Sequence, residues 1–414
     1  MTPPDARAQA LAVGDEVVVE VGAVAHGGHC VARHAGQVMF VRGVLPGEQA
    51  RVLVVEVGRR GRFVRAIPLE VLRASAHRVD PPCRYAGAAP KQCGGCDFQH
   101  VAIDEQRRLK ASVVAEQLTR LGDVRDLDAV WSGEVEEVTD PDVGRPGLRW
   151  RTRVRLAVDR SGTAGLHPHR SHDVVPIDDC LIAHAAVDIP EVTGTSWPGV
   201  DEITVQVEPA SGDREVTVGR GQGRQAMTMH AGGRSWQVSS GGFWQVHPAA
   251  ADALLDAVMS LGDPHDGESL IDLYAGVGLF SAVWGSKTGG HVAAVEGHRT
   301  AASDAEANLA DLPLASVHAV SVEHFVANTD VRADVVVLDP PRVGAKRDIV
   351  EGIAAWRPRA VVYVACDPAA LARDVKYFAA SGYRLTRLRA FDLFPMTHHV
   401  ECVALLEPEP VGAT

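Results

Sequence analysis

Short β-branched runs open the chain. Val17–Val21, Val38–Val41 and Arg51–Val55 are separated by the turn-forming residues Gly27-Gly28, Gly36 and Pro46-Gly47. This spacing predicts a small β domain over residues 1–75. Between Ile103 and Gly122 the period changes. Ile103, Leu109, Val113, Val114, Leu118 and Leu121 recur at helical spacing, with Asp104 as a candidate N-cap. Residues 123–245 then read as β-rich. In Arg149-Trp-Arg-Thr-Arg-Val-Arg155 the basic residues alternate, which puts the arginines on one face of a strand. From about residue 248 the apolar runs Leu270–Leu273, His291–Val295, Ala333–Leu338 and Ala360–Ala365 alternate with helical segments. Buried parallel strands have this texture, so a doubly wound α/β domain is expected over 246–414, with a central α+β domain over 76–245.

Composition adds three constraints. At 414 residues with 46% hydrophobic and 23% charged side chains, the chain is globular and long enough for several domains. No apolar stretch approaches the ~20 residues that span a bilayer, and Met1–Asp5 has no secretory character, so a cytoplasmic protein, monomeric, is expected. The net charge of −12 argues against general attraction to nucleic acid. Residues 1–75 nevertheless hold nine Lys and Arg against seven Asp and Glu, concentrated in Gly58-Arg-Arg-Gly-Arg-Phe-Val-Arg65. This segment is either a phosphate-tracking loop or a solvated strand. The Arg149–Arg155 face has the same two readings.

Four groups of residues carry chemistry. Cys83, Cys93 and Cys96 have C-x9-C-x2-C spacing, with Gly94-Gly95 allowing the backbone to turn tightly between the last two. Clustered thiolates suit zinc or an iron–sulfur cluster, and Cys180 is the best candidate for a fourth ligand. Asp272-Leu-Tyr-Ala-Gly-Val-Gly278 follows one strand and Glu296 closes the next. A Gly-x-Gly turn followed by a strand-end acid is a nucleotide-type arrangement, and its wording favours S-adenosylmethionine over a dinucleotide. Asp339-Pro-Pro-Arg342 ends a third strand and places a carboxylate at the sheet edge. Cys366 ends a fourth strand, ahead of Asp367-Pro368 at a helix start, where the helix dipole favours a thiolate. Glu401 adjoins the apolar run Cys402–Leu406 as a candidate base. Cys30 and Cys402 read as residues without a chemical role.

Taken in order, these motifs resemble the RNA 5-methyluridine methyltransferase family, in its form with an N-terminal TRAM domain and an iron–sulfur cluster. The resemblance covers nearly the whole chain. It implies an OB-like TRAM β-barrel, a central α+β domain carrying the cysteine-rich site, and a C-terminal Rossmann-like methyltransferase domain. It implies a 4Fe-4S cluster on Cys83, Cys93, Cys96 and Cys180, with zinc as the alternative. S-adenosylmethionine would be held by Gln245 (in Phe243-Trp-Gln-Val-His247), Tyr274, Glu296 and Asp339. Cys366 would add to uracil carbon 6, and Glu401 would remove the carbon 5 proton. Arg59, Arg60, Arg62 and Arg65 would contact phosphates. The implied substrate is RNA, with 23S ribosomal RNA favoured. The alternatives are transfer RNA or, with less support, a non-catalytic RNA-binding iron–sulfur protein. Two positions depart from the family pattern: Asp367 and His247 stand where asparagine is usual.

Overall fold

The computed structural model describes residues 10–89, 91–139, 146–219 and 226–410; the terminal Met1–Asp5 segment and the side chain of Arg60 lie outside the described residues. β1 (Glu16–Ala25), β2 (His29–His34), β3 (Gln37–Arg42), β4 (Gln49–Val57) and β5 (Val64–Arg73) close into a barrel of order β1-β2-β3-β5-β4. Closure comes from β1 pairing antiparallel with β4 and from β3 running parallel to β5, which leaves no strand edge open. Alternate side chains fill the interior, among them Val19, Val21, Met39, Val41, Val52 and Val54.

α1 (Ile103–Arg120) follows. Its N-cap is Ala102 rather than the expected Asp104, which lies inside the first turn where a carboxylate still favours the helix dipole. The two-residue strand β6 (Glu136–Glu137) comes next. β7 (Arg153–Val158), β8 (Ala164–Leu166), β9 (Val175–Pro176), α2 (Ile189–Gly194), β10 (Glu202–Glu208) and β11 (Asp213–Val218) form the central unit. Its antiparallel sheet has the order β11-β10-β7-β8-β9. The hairpin β12 (Met227–Ala231) and β13 (Arg234–Val238) packs Met229 and Trp236 into the core of the C-terminal unit.

That unit contains α3 (Ala250–Gly262), β14 (Leu270–Leu273), α4 (Leu279–Thr288), β15 (Val292–Val295), α5 (Arg299–Asn308), β16 (Ala315–His318), α6 (Val322–Asn328) and β17 (Val335–Leu338). It continues through α7 (Arg347–Trp356), β18 (Ala360–Ala365), α8 (Pro368–Ala380), β19 (Tyr383–Asp392) and β20 (Glu401–Pro408). The sheet order is β16-β15-β14-β17-β18-β20-β19-β6. β14 to β18 run parallel, as the continuous apolar runs predict, and β20 turns antiparallel beside β18. The direction in which strands are added to the sheet reverses at β14, between β15 and β17, which places a ligand crevice at the carboxyl ends of these strands. No described helix is long and apolar enough to cross a membrane.

One helix joins the barrel to this sheet. Leu109 and Val113 of α1 enter the barrel core, whereas Val114 and Leu118 enter the core of the C-terminal unit. Between the two sets lies Lys110, fully buried, with Nζ 2.5 Å from Asp392 Oδ1 and 3.0 Å from the Phe394 carbonyl oxygen. Burial pulls this ammonium below its ordinary value while Asp392 opposes that pull, so the pair fixes position more than it adds stability. Lys110→Met, which leaves the Asp392 carboxylate buried and unpaired, is expected to cost about 3–5 kcal/mol of stability. Lys110→Met combined with Asp392→Leu should recover most of that loss. Urea unfolding followed by tryptophan fluorescence checks both, and a single variant as stable as the parent chain contradicts the assignment.

Candidate active site

The catalytic candidates meet at the carboxyl edge of the large sheet because the strand register puts them there. Ala365 of β18 pairs with Cys402 of β20, so Cys366 and Glu401 lie side by side, each one residue beyond that pair. Cys366 is half-buried and Glu401 is 4% exposed. The segment between β19 and β20, which presents Glu401, is held from below by α1. Gln106 Oε1 accepts the Met396 amide at 2.8 Å, and Gln106 Nε2 donates to the Phe98 and Val101 carbonyls.

The electrostatics of the thiol run opposite to the sequence expectation. Burial pushes Cys366 up to about 12, Glu401, Asp339 and Asp367 push the same way, and Arg342 pulls against them. The dipole of α8 cannot offset this, because the Asp367 carboxylate occupies the helix N-terminus and accepts the Ala370 amide at 2.9 Å. Glu401 is held well above the usual carboxylate range, first by burial and then by Asp339, with Arg342 again opposing. Asp339 is raised by burial and by the charge of Asp272. Burial therefore disfavours the charged form of both groups. Cations lining the pocket, or brought by a ligand, would favour ionisation of either group.

A cavity of about 130 Å³ opens onto Cys366. Arg342, His398, His399 and Lys110 line it from the C-terminal unit and α1, and His26, Gly27 and Gly28 line it from the barrel. The sequence singled out neither His26 nor Lys110. Lys110 carried a signal, since a lysine four residues before Val114 sits on the apolar face of α1. His26 carried none, because its place depends on how the barrel docks.

The cofactor candidates divide into two groups. Tyr274, at φ +64°, and Glu296 stand at the ends of β14 and β15. Glu296 accepts the Gly276 amide at 2.9 Å and the His298 amide at 2.6 Å, drawing the two loops together. Gly276 has φ +56°, and a Cβ there would meet nothing within 4 Å, so the backbone faces open space. Deeper in, Asp272 Oδ2 holds Ser281 of α4 while Oδ1 is buried without a partner among the described residues. This open turn, with acids at both strand ends, can hold a nucleoside. Gln245 stands apart, lining a separate cleft of about 600 Å³ with Trp244, Met229 and Glu208. His247, where the family pattern has asparagine, is buried. It stacks on Trp150 at 6.0 Å and its Nδ1 accepts the Ala249 amide.

Cys83, Cys93, Cys96 and Cys180 are free thiols that line one cavity of about 370 Å³. Among the described residues no three His, Cys, Asp or Glu side chains are placed to hold a single metal ion. Burial pushes Cys93 up to about 11 and raises Cys96 and Cys180 as well. Amide donors already face the sulfurs, Gly95 N toward Cys93 and Gln99 Nε2 toward Cys96, both at 3.4 Å. This knot also braces the active site. Asp97 accepts His398 Nδ1 at 2.6 Å and Arg42 of the barrel at 3.2 Å, while the Asp97 and Phe98 amides bond the Met396 carbonyl.

The basic strand at Arg149–Arg155 is largely turned inward, which corrects both of its readings for Arg149, Arg151 and Arg153. Arg149 has φ +58° and pairs with Asp179, Arg151 bonds the Arg153 carbonyl, and Arg153 bonds the Gly241 and Gly242 carbonyls. Only Arg155 of the four presents a mostly exposed side chain, near Glu202. In the barrel, Arg59 and Arg62 are exposed, while Arg65 pairs with Glu56 at 3.1 Å.

Comparison with known proteins agrees with this geometry. Residues 200–409 match the tRNA (Uracil-5-)-methyltransferase family and residues 10–69 the TRAM domain. A Streptomyces avermitilis protein described as an uncharacterized RNA methyltransferase is 44% identical, with 97% of this chain and all of that protein covered. The 23S rRNA (uracil(1939)-C(5))-methyltransferase RlmD of Shewanella frigidimarina is 30% identical over 92% of this chain and 93% of its own length. The fold resembles that of the Pyrococcus abyssi tRNA (uracil-54, C5)-methyltransferase, solved with S-adenosyl-L-homocysteine. The TM-score is 0.67 at 21% identity, with 94% and 99% of the two chains covered. With its barrel, its sheet order and its carboxyl-edge cysteine and glutamate, the chain belongs to the RNA (uracil-5-)-methyltransferase family and carries an N-terminal TRAM domain.

Proposed function

We propose that the protein methylates carbon 5 of a uridine in 23S ribosomal RNA, with Cys366 as nucleophile and Glu401 as base. The observation that carries this reading is the pairing of β18 with β20, which sets Cys366 beside Glu401 at the ligand edge of the sheet. Carbon 5 of uracil is a poor nucleophile. Addition of the Cys366 thiolate to carbon 6 forms a carbon–sulfur bond and leaves an enolate whose electron density lies on carbon 5. After methylation, carbon 5 carries both a methyl group and a proton. Glu401 accepts that proton, the carbon–sulfur bond breaks, and the ring double bond returns. A buried glutamate with a raised pKa suits this step, since its carboxylate is a stronger base than an exposed one.

When bound, S-adenosylmethionine supplies the methyl group on a cationic sulfonium. Tyr274, Glu296 and Asp339 are the residues proposed to hold it, with Gln245 proposed to join them from the loop before α3. Arg342 is a cation already in place to favour the thiolate. The target base must leave its stack to reach so enclosed a thiol. Phe243, 63% exposed on the loop held by Arg153, offers a ring for stacking a splayed base. The RlmD likeness favours ribosomal over transfer RNA.

The cysteine knot is proposed to hold a 4Fe-4S cluster. Four thiols around one cavity, with amide donors to sulfur, fit a cluster better than a single tetrahedral ion. Methyl transfer is redox neutral, so the role assigned to the knot is to brace the loop before Glu401 through Asp97 and His398.

Cys366→Ala should lower uridine methylation by about 10³-fold or more and abolish any covalent protein–RNA species on denaturing gels. Glu401→Gln should accumulate such a species, because addition proceeds and elimination stalls; Cys366→Ala protein that still methylates uridine removes the mechanism. Loss of 5-methyluridine from 23S ribosomal RNA, with transfer RNA unchanged, is expected in cells lacking the protein, and the reverse pattern overturns the substrate assignment. Anaerobically purified protein should be brown, with iron and sulfide in equal amounts. Stoichiometric zinc without sulfide would replace the cluster assignment.

A further inference from the structure

His26 belongs to the barrel by chain position and to the active site by contact. It stands between β1 and β2, and its Nε2 lies 3.1 Å from Oδ2 of Asp367, the residue that follows the nucleophile. The other oxygen of Asp367 caps α8 through the Ala370 amide. One carboxylate thus joins the barrel tip, the helix start and the turn that carries Cys366. The tip itself has little room to shift. Gly27 and Gly28 sit at φ +91° and +76°, and a Cβ on Gly28 would fall 2.8 Å from the His398 Cβ and 3.4 Å from the Asp97 Cβ. The His26 and Asp367 side chains are 39% and 22% exposed, so the contact is open at one side.

The charges around this contact can be named from every element that meets there. Asp367 attracts the His26 ring and Arg373 of α8 repels it. Lys110 of α1, Arg342 beyond β17, His398 and His399 before β20, and Cys366 line the same cavity, with Glu401 behind Cys366. The Asp367 charge opposes ionisation of Cys366. The hydrogen bond to Asp367 raises the His26 pKa, against burial and Arg373. Burial works against the Asp367 carboxylate, yet bonding to His26 and to the Ala370 amide holds its pKa below the ordinary value. Each partner thus stabilises the charged form of the other, and the nearby thiol faces a balanced pair instead of a bare anion.

We propose that His26 is a positioning residue of the methyl-transfer site. Carried by the barrel, its imidazolium balances the Asp367 carboxylate and fixes the turn that presents the Cys366 thiol. The barrel then has a second task besides engaging RNA, since its docking completes the environment of the nucleophile. This rests on Cys366 as nucleophile, and the test separates the two claims.

The experiment compares full-length wild type, His26→Ala, Asp367→Asn and His26→Ala/Asp367→Asn. The rate of iodoacetamide alkylation at Cys366 is followed by peptide mass spectrometry from pH 6 to 10, alongside kcat and KM for uridine methylation. His26→Ala is expected to slow alkylation by about three- to tenfold at the acid end of this range, because an unpaired carboxylate then faces the thiol. Its kcat should fall with little change in KM. The double variant should regain the wild-type alkylation profile, since Asn still caps α8 and brings no charge. Unchanged alkylation in His26→Ala at every pH, or a double variant as slow as His26→Ala, overturns the proposal. Alkylation needs no turnover, so this outcome differs from methylation surviving in Cys366→Ala, which sinks the nucleophile reading instead.

Discussion

The arrangement of the active site depends on one buried lysine. Lys110 lies between two hydrophobic cores, and its ammonium bonds Asp392 and the Phe394 carbonyl. That requirement sets the register of α1 against the end of β19. One turn earlier, Gln106 takes the Met396 amide, so two residues four apart on a helix face pin both ends of the same short segment. Five residues after Met396 comes Glu401, so this anchoring supports the placement that the β18–β20 register sets. A hydrophobic contact in the same place would tolerate sliding, whereas an ammonium with two oxygen partners does not.

From the other side, the segment is held by the cysteine knot and the barrel. Asp97 receives both His398 and Arg42, so a residue adjoining Cys96 binds at once to the loop before the base and to the barrel wall. The chain thus surrounds the thiol with side chains from the barrel, α1 and the C-terminal unit. Such a site is fully formed only when all three are docked. The raised thiol fits this picture, because a cysteine whose thiolate is disfavoured by burial is less open to adventitious oxidation.

Much of this was legible in the residues. The apolar runs gave the parallel strands, the Gly-x-Gly turn and strand-end acids marked the crevice, and Cys366 and Glu401 stood at positions where register alone would unite them. What escaped was everything that depends on docking. Arg149, Arg151 and Arg153 looked like one charged face of a strand, but a positive φ at Arg149 and three sets of carbonyl partners turn them inward. The α8 dipole at Cys366 was read correctly as geometry. It was misjudged as electrostatics, because the capping carboxylate of Asp367 cancels it. His26 could not be found from its neighbours in sequence, since its partner is 341 positions away.

The inward turn of those arginines bears on how this acidic chain meets a polyanion. With a formal charge of −12, its overall field repels nucleic acid at long range. Loose sliding along arbitrary RNA is therefore disfavoured, and encounters that fail to match the surface end quickly. Discrimination among transcripts can begin before any base is read, as a kinetic filter imposed by mutual repulsion.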